Sequence, residues 1–162
     1  MDIPAIAYTK TSMRKAKVYN SMALIRLKKL LFFWGPPVVW ALVIFWFSSR
    51  PTGSVSEVHW QDFVFKKFLH VSFFGFLAVL IYRALINNYT DKLRSLKWAT
   101  VATVVYGFLD ELHQSFTAGR QPTVRDVVFD TLGALIAVYL IWFLLPTLPK
   151  PLKYWVARFQ IK

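Results

Sequence analysis

Apolar residues gather in four stretches, 30–47, 70–86, 96–112 and 127–145, each close to the roughly 20 residues a helix needs to cross a bilayer. Polar and charged residues fill the intervals between them. The pattern predicts an all-α fold, an integral membrane four-helix bundle with interfacial basic helices at both termini. Residues 1–29 form a basic cytoplasmic N-terminal segment, partly interfacial; 30–145 form the four-span membrane domain; 146–162 form a cytoplasmic amphipathic tail. Gly35-Pro36-Pro37 is expected to bend or break the opening turn of the first span, because proline removes backbone donors. The second and third stretches are less hydrophobic at their ends, so a short buried hairpin is the competing reading. Pro146, Pro149 and Pro151 mark a stiff exit from the last span. No small-residue cleavage pattern follows the first apolar run, so the N-terminus is expected to be kept.

Composition agrees with one membrane domain: 162 residues, 56% hydrophobic and 18% aromatic, with a mean hydropathy of +0.43. Cysteine is absent, which excludes disulfides and thiolate metal sites. A net charge of +12 raises nucleic acid as a partner, but the positive charge follows topology instead. Fifteen of the twenty Lys and Arg residues lie before the first span, between the second and third, or after the fourth, which four spans place on one side. The positive-inside rule makes that side cytoplasmic, giving a multi-pass protein of the cell membrane with both termini inside. The basic N-terminal segment, and the tail where Leu152, Trp155, Val156 and Phe159 alternate with Lys153, Arg158 and Lys162, read as helices lying on an anionic inner leaflet.

The remaining loops carry six of the eight acidic residues and all three histidines. Charge at the ends of spanning helices is costly and usually functional, so stretch 110–130 is the candidate site. Offsets of three and four put Asp110, His113 and Gln114 on one face of the third helix, with Tyr106 and Gly107 below them. Asp110 and His113 are expected to form a hydrogen-bonded structural pair rather than to ligate a metal. Glu111 points about 100° away from Asp110, toward another helix or the headgroup region. On the fourth helix Asp126 and Asp130 are one turn apart, and Gly133 and Ala137 continue the stripe, where small residues admit close helix approach. Asp126 reads equally as a helix cap or as a site residue; Asp130 lies a turn deeper. Lys67 and His70 share a face of the second helix, while Lys66 is expected to snorkel to headgroups. In the connection Ala118-Gly119-Arg120-Gln121-Pro122, Gly119 supplies backbone freedom and the Arg120 fork suits a phosphate or carboxylate. Ser48-Ser49-Arg50-Pro51 offers two readings, lining the same mouth or, the favoured one, serines that simply end the first helix.

These residues carry a resemblance. Ser48-Ser49 with Pro51, Lys67-Phe-Leu-His70, Asp110-Glu111-Leu-His113-Gln114, Gly119-Arg120 and Asp126 with Asp130-Thr-Leu-Gly133, in this order, resemble the VanZ-like family of small membrane proteins over residues 31–145. Ala118 stands where a proline commonly precedes the Gly-Arg pair, and Asp130 where Asn is also familiar. The resemblance implies a multispan protein of the cell envelope whose namesake is associated with resistance to the glycopeptide teicoplanin, and it supplies no established reaction.

The leading expectation is a module that binds or modifies an envelope lipid or lipid-linked glycan headgroup from the extracytoplasmic side. Lys67 and Arg120 hold an anionic headgroup in that reading, with Gln114, Asp126 and Asp130 completing the binding set. Asp110, Glu111, His113 and His70 are the candidates for acid and base work. No nucleophile elbow, phosphate loop or metal motif of recognised spacing is present, so no cofactor or metal is predicted and catalysis stays open. The alternatives are a small transporter or proton-coupled component using Asp130 and His70, which with four spans requires a homo-oligomer, and a structural scaffold whose charges cap the bundle.

Overall fold

The computed structural model describes residues 4–51, 59–88, 91–120 and 123–161, with side chains from Ser12 onward. Among these, every regular element is helical: α1 (Pro4–Ser48), α2 (His59–Asn88), α3 (Lys92–Gln114), α4 (Val124–Tyr139) and α5 (Lys150–Arg158), with a π-helical turn and a 3-10 turn carrying α4 on to Thr147. The chain divides after Gly35 into two compact units. The first holds the basic turns of α1, whose apolar side chains, such as Tyr19, Ile25 and Leu31, are exposed.

The second unit is the bundle. α2 and α4 meet at Gly75 and Gly133, and the approach is backbone to backbone: a Cβ on Gly133 would lie 2.3 Å from the Val71 carbonyl oxygen. Only glycine fits there. Ala78, Ala134 and Ala137 continue the small-residue contact away from the site. Such stripes let helices pack closely where lipid offers no hydrophobic driving force. α3 lies against both helices through Leu96, Ala99 and the fully buried Thr103, whose hydroxyl donates to the Ala99 carbonyl oxygen. The C-terminal part of α1 is tied on by longer side chains. Trp40 Nε1 donates to the Phe73 carbonyl oxygen at 2.9 Å, and the Tyr106 hydroxyl donates to that of Ala41 at 2.6 Å. Ile44, Phe74, Leu77 and Tyr82 fill the space between.

Three differences from the sequence pattern have physical causes. The helices outrun the apolar stretches: α2 begins at His59 rather than 70, and α3 at Lys92 rather than 96. Hydropathy marks the dry part of a helix, whereas its ends follow the backbone ladder and the caps. Asp91 caps α3 by accepting from the amides of Leu93 and Arg94 at 2.9 and 3.3 Å. Second, α1 stays helical through Gly35-Pro36-Pro37. Two missing amides are tolerated when the helix on both sides is long and regular.

Third, among the described residues three helices are long and apolar enough to cross a membrane, Ser12–Ser48, His59–Asn88 and Val124–Thr147. At 23 residues α3 reaches about 35 Å, long enough to cross. It lacks the composition, because it carries Lys92, Arg94 and Lys97 at one end and Asp110 and Glu111 at the other. Its polar side chains Ser95, Thr103, Asp110, Glu111 and Gln114 are buried in the bundle. The tail also returns to the bundle: Arg83 Nε donates to the Phe159 carbonyl oxygen at 2.7 Å and Asn87 Nδ2 to that of Gln160 at 2.8 Å. α5 keeps Leu152, Tyr154 and Trp155 exposed.

The α2–α4 contact makes a direct prediction. Gly133→Ala overpacks the crossing and is expected to destabilise the protein by about 1–3 kcal/mol. Gly35→Ala, with nothing within 4 Å of the new Cβ, is expected to be neutral or slightly stabilising. Thermal unfolding of both variants in detergent checks this; equal midpoints would show that the crossing does not hold the bundle.

Candidate functional site

The end of the bundle formed by the close of α1 and α3 and the start of α2 and α4 collects the polar residues. Spacing along α4 explains half of it. Asp126, Asp130 and Gly133 share the face turned to α2, so the closeness fixed at Gly133 brings short acidic side chains within reach of Lys67 and His70. Lys67 Nζ pairs with Asp126 Oδ1, and His70 Nδ1 lies 2.8 Å from Asp130 Oδ1. Asp130 is fully buried and Asp126 nearly so. Gly107 makes room for Asp130 on the α3 side, where a Cβ would come within 3.1 Å of Asp130 Oδ2.

Asp126 is not the helix cap. Thr123 occupies that position, and its backbone amide donates to Glu111 Oε2 at 3.0 Å. Glu111, turned away from Asp110 on α3, therefore faces the start of α4. Asp110 faces α1 instead: it accepts from Ser48 Oγ and from Gln114 Nε2, both at 2.7 Å. The expected Asp110–His113 pair does not form. His113 Nε2 sits 3.0 Å from Ser49 Oγ, and its ring packs on Phe45 with centroids 4.4 Å apart. An offset of three residues allows contact but does not require it, and α1 offers each side chain its own partner.

Ser48 ends α1 and also lines a cavity at this end of the bundle; its buried hydrogen bond to Asp110 is the part that sequence reasoning missed. Ser49 does what a helix-ending serine does, donating to the Phe45 carbonyl oxygen at 2.7 Å. Lys66 pairs with Asp62 one turn away at 2.7 Å.

Arg120 holds the loop to the end of α1, with Nε donating to the Arg50 carbonyl oxygen at 2.7 Å and Nη2 to that of Phe47 at 2.6 Å. A guanidinium suits the unsatisfied carbonyls of a helix C-terminus. Burial lowers the Arg120 guanidinium from its ordinary value, and Asp110, Glu111 and Asp126 pull it back up; it stays charged. Gly119 before it has a φ of 79°, with a Pro51 side chain 3.3 Å from where a Cβ would stand, so the turn needs glycine twice over. Gln121 and Pro122 of the predicted connection lie outside the described residues.

Between these groups opens a cavity of about 820 Å³. Among the described residues its polar lining includes Arg50, Lys66, Lys67, Arg120 and Arg125 against Asp110 and Asp126, five cationic side chains to two carboxylates. Its apolar wall includes Ile44, Phe47, Phe63, Leu69, Phe73 and Phe74. Lys67 Nζ lies 5.3 Å from the Phe63 ring centroid and 5.6 Å from that of Phe129. His70 and Gln114 line the cavity; Glu111, His113 and Asp130 stand outside its lining. The predicted binding residues Lys67, Gln114, Arg120 and Asp126 thus converge on one space, with Asp130 behind His70.

No curated protein and no solved structure matches the chain. A family model described as VanZ/LLP1 matches residues 6–145, which takes in the basic turns of α1 as well as the bundle and its polar end. With that match, helices long and apolar enough to span a membrane, and the Lys67, His70, Asp110, Glu111, Arg120, Asp126 and Asp130 set gathered at one end, the chain belongs to the VanZ/LLP1 family of membrane proteins.

Proposed function

We propose that this protein binds an anionic lipid or lipid-linked glycan headgroup in the cavity at the polar end of its bundle. One observation carries the reading: the cavity joins an excess of cationic side chains to a wall of aromatic and aliphatic ones. A headgroup phosphate on an apolar chain presents the same two surfaces. Few soluble anions need the wall, and an uncharged lipid tail does not need the cations. The Lys67–Asp126 pair is nearly buried and preorganised, so Lys67 meets a phosphate without paying for ordering its own long side chain. Arg120 is likewise fixed by the end of α1, which leaves its remaining N–H groups in a set orientation.

The distribution of Lys and Arg along the sequence supports an extracytoplasmic position for this end, with both termini cytoplasmic. Both an envelope lipid and a lipid-linked glycan present the required chemistry there. The association of the family's namesake with teicoplanin resistance fits a ligand of the cell envelope, and it extends to this chain at the level of that ligand class.

Lipid copurification followed by mass spectrometry tests the reading. Lys67→Ala alone leaves Asp126 buried and unpaired, a loss of about 3–5 kcal/mol, so the informative variant is Lys67→Ala combined with Asp126→Ala. That double variant and Arg120→Ala are expected to lose bound anionic lipid about tenfold, equivalent to about 1.4 kcal/mol, while the double variant keeps its melting midpoint near that of the parent. Unchanged occupancy in both would reject these residues as the clamp. Binding of an anionic-lipid probe is also expected to weaken as salt rises from 0.05 to 0.5 M, by about tenfold; a flat response would leave only the apolar wall as the source of affinity.

A further inference from the structure

Behind His70, outside the cavity lining, three helices bring ionisable side chains together. His70 from α2, Glu111 from α3 and Asp130 from α4 each offer a ligand atom, and the three atoms lie within 4.8 Å of one another. The two carboxylates are buried, Glu111 at 7% exposure and Asp130 at 0%. Each keeps one oxygen without a hydrogen-bond partner among the described residues, Glu111 Oε1 and Asp130 Oδ2. Their other oxygens are engaged, Glu111 Oε2 by the Thr123 amide and Asp130 Oδ1 by His70.

Charge balance sharpens the observation. Four buried carboxylates, Asp110, Glu111, Asp126 and Asp130, share this end of the bundle. Within ion-pair distance Asp126 has Lys67, and Asp130 has an imidazole that carries charge only when protonated. Asp110 is held by two neutral donors, and Glu111 by one backbone amide. A buried carboxylate that lacks both a cation and a second donor is costly, unless a proton or a metal ion neutralises it.

We infer that His70, Glu111 and Asp130 form a binding site for one divalent cation of the manganese, iron or zinc class. One imidazole with two carboxylates and no sulfur suits those ions, whereas calcium and magnesium prefer all-oxygen shells and copper(I) prefers sulfur. Metal–ligand bonds of about 2.0–2.2 Å put three ligand atoms roughly 3–3.8 Å apart around one ion, so a pair at the 4.8 Å limit closes by about 1 Å through side-chain rotation. Because each ligand comes from a different helix, the ion ties α2, α3 and α4 together. Glu111 and Asp130 do not line the cavity and His70 alone is shared with it, so metal retention is measured without a headgroup bound.

The test uses full-length protein in detergent, stripped with a chelator, dialysed separately against ZnCl2 and MnCl2, washed, and analysed for metal by mass spectrometry. Parent protein and Asp62→Asn are expected to retain about one equivalent of at least one ion and to melt higher with it. Glu111→Gln, which keeps shape and the acceptor for the Thr123 amide, is expected to lose at least about tenfold in retained metal and the whole thermal shift. Folded parent protein holding less than about a tenth of an equivalent of either ion would overturn the inference and assign the neutralisation to protons. Equal metal in the parent and in Glu111→Gln would overturn it as well, as adventitious binding. The parent arm decides even where a variant fails to fold.

Discussion

The contact between the Val71 carbonyl and Gly133 sets the scale for everything at the polar end of this molecule. Where two helices touch backbone to backbone, the side chains one and two turns away need little length to meet. His70 reaches Asp130 and Lys67 reaches Asp126 because the crossing beside them has no Cβ on the α4 side. A larger residue at 133 would push α4 outward and separate both pairs at once. Gly107 performs the same service on α3, giving Asp130 a place against that helix. The buried acids and the glycines are therefore one design: the acids require close helices, and close helices require the glycines.

The cavity arises from the opposite choice on the other side. The C-terminal part of α1 meets the bundle through its Trp40 and Ile44 and through Tyr106 of α3 rather than through small residues. Large side chains hold a helix farther away, and near Ser48 that separation becomes open space. Arg120 fixes the rim by gripping the end of α1, and the Ser48, Gln114 and Asp110 hydrogen bonds fix one wall. The result is a tight, acidic seam beside a looser, mostly basic and aromatic cavity, sharing His70 as a common wall.

Much of this was legible in the sequence because it depends on helical period. The stripe Asp126, Asp130, Gly133, Ala137 and the Lys67–His70 face follow from offsets of three and four, and the structure turns both toward the α2–α4 contact. What period cannot supply is the partner across the helix gap. Asp110 and His113 share a face of α3, yet α1 gives one Ser48 and the other Ser49. Asp126 occupies a first turn in which a cap was equally plausible, but the backbone turns helical after Thr123 and the Asp126 carboxylate pairs with Lys67 across the gap. Hydropathy located the dry segments but missed the eleven residues by which α2 precedes its apolar stretch. It also drew a span from the apolar middle of α3, whose ends carry Lys92, Arg94, Lys97, Asp110 and Glu111 once the helix is taken at its full length.

An electron cryo-microscopy structure of the protein in nanodiscs containing anionic envelope lipid tests the central claim most directly. Headgroup density is expected in the cavity, with phosphate within hydrogen-bonding distance of Lys67 or Arg120 and its apolar chain along Phe47, Phe63 and Phe73. Ordered lipid around the bundle with the cavity closed by side chains, or holding water alone, would contradict it.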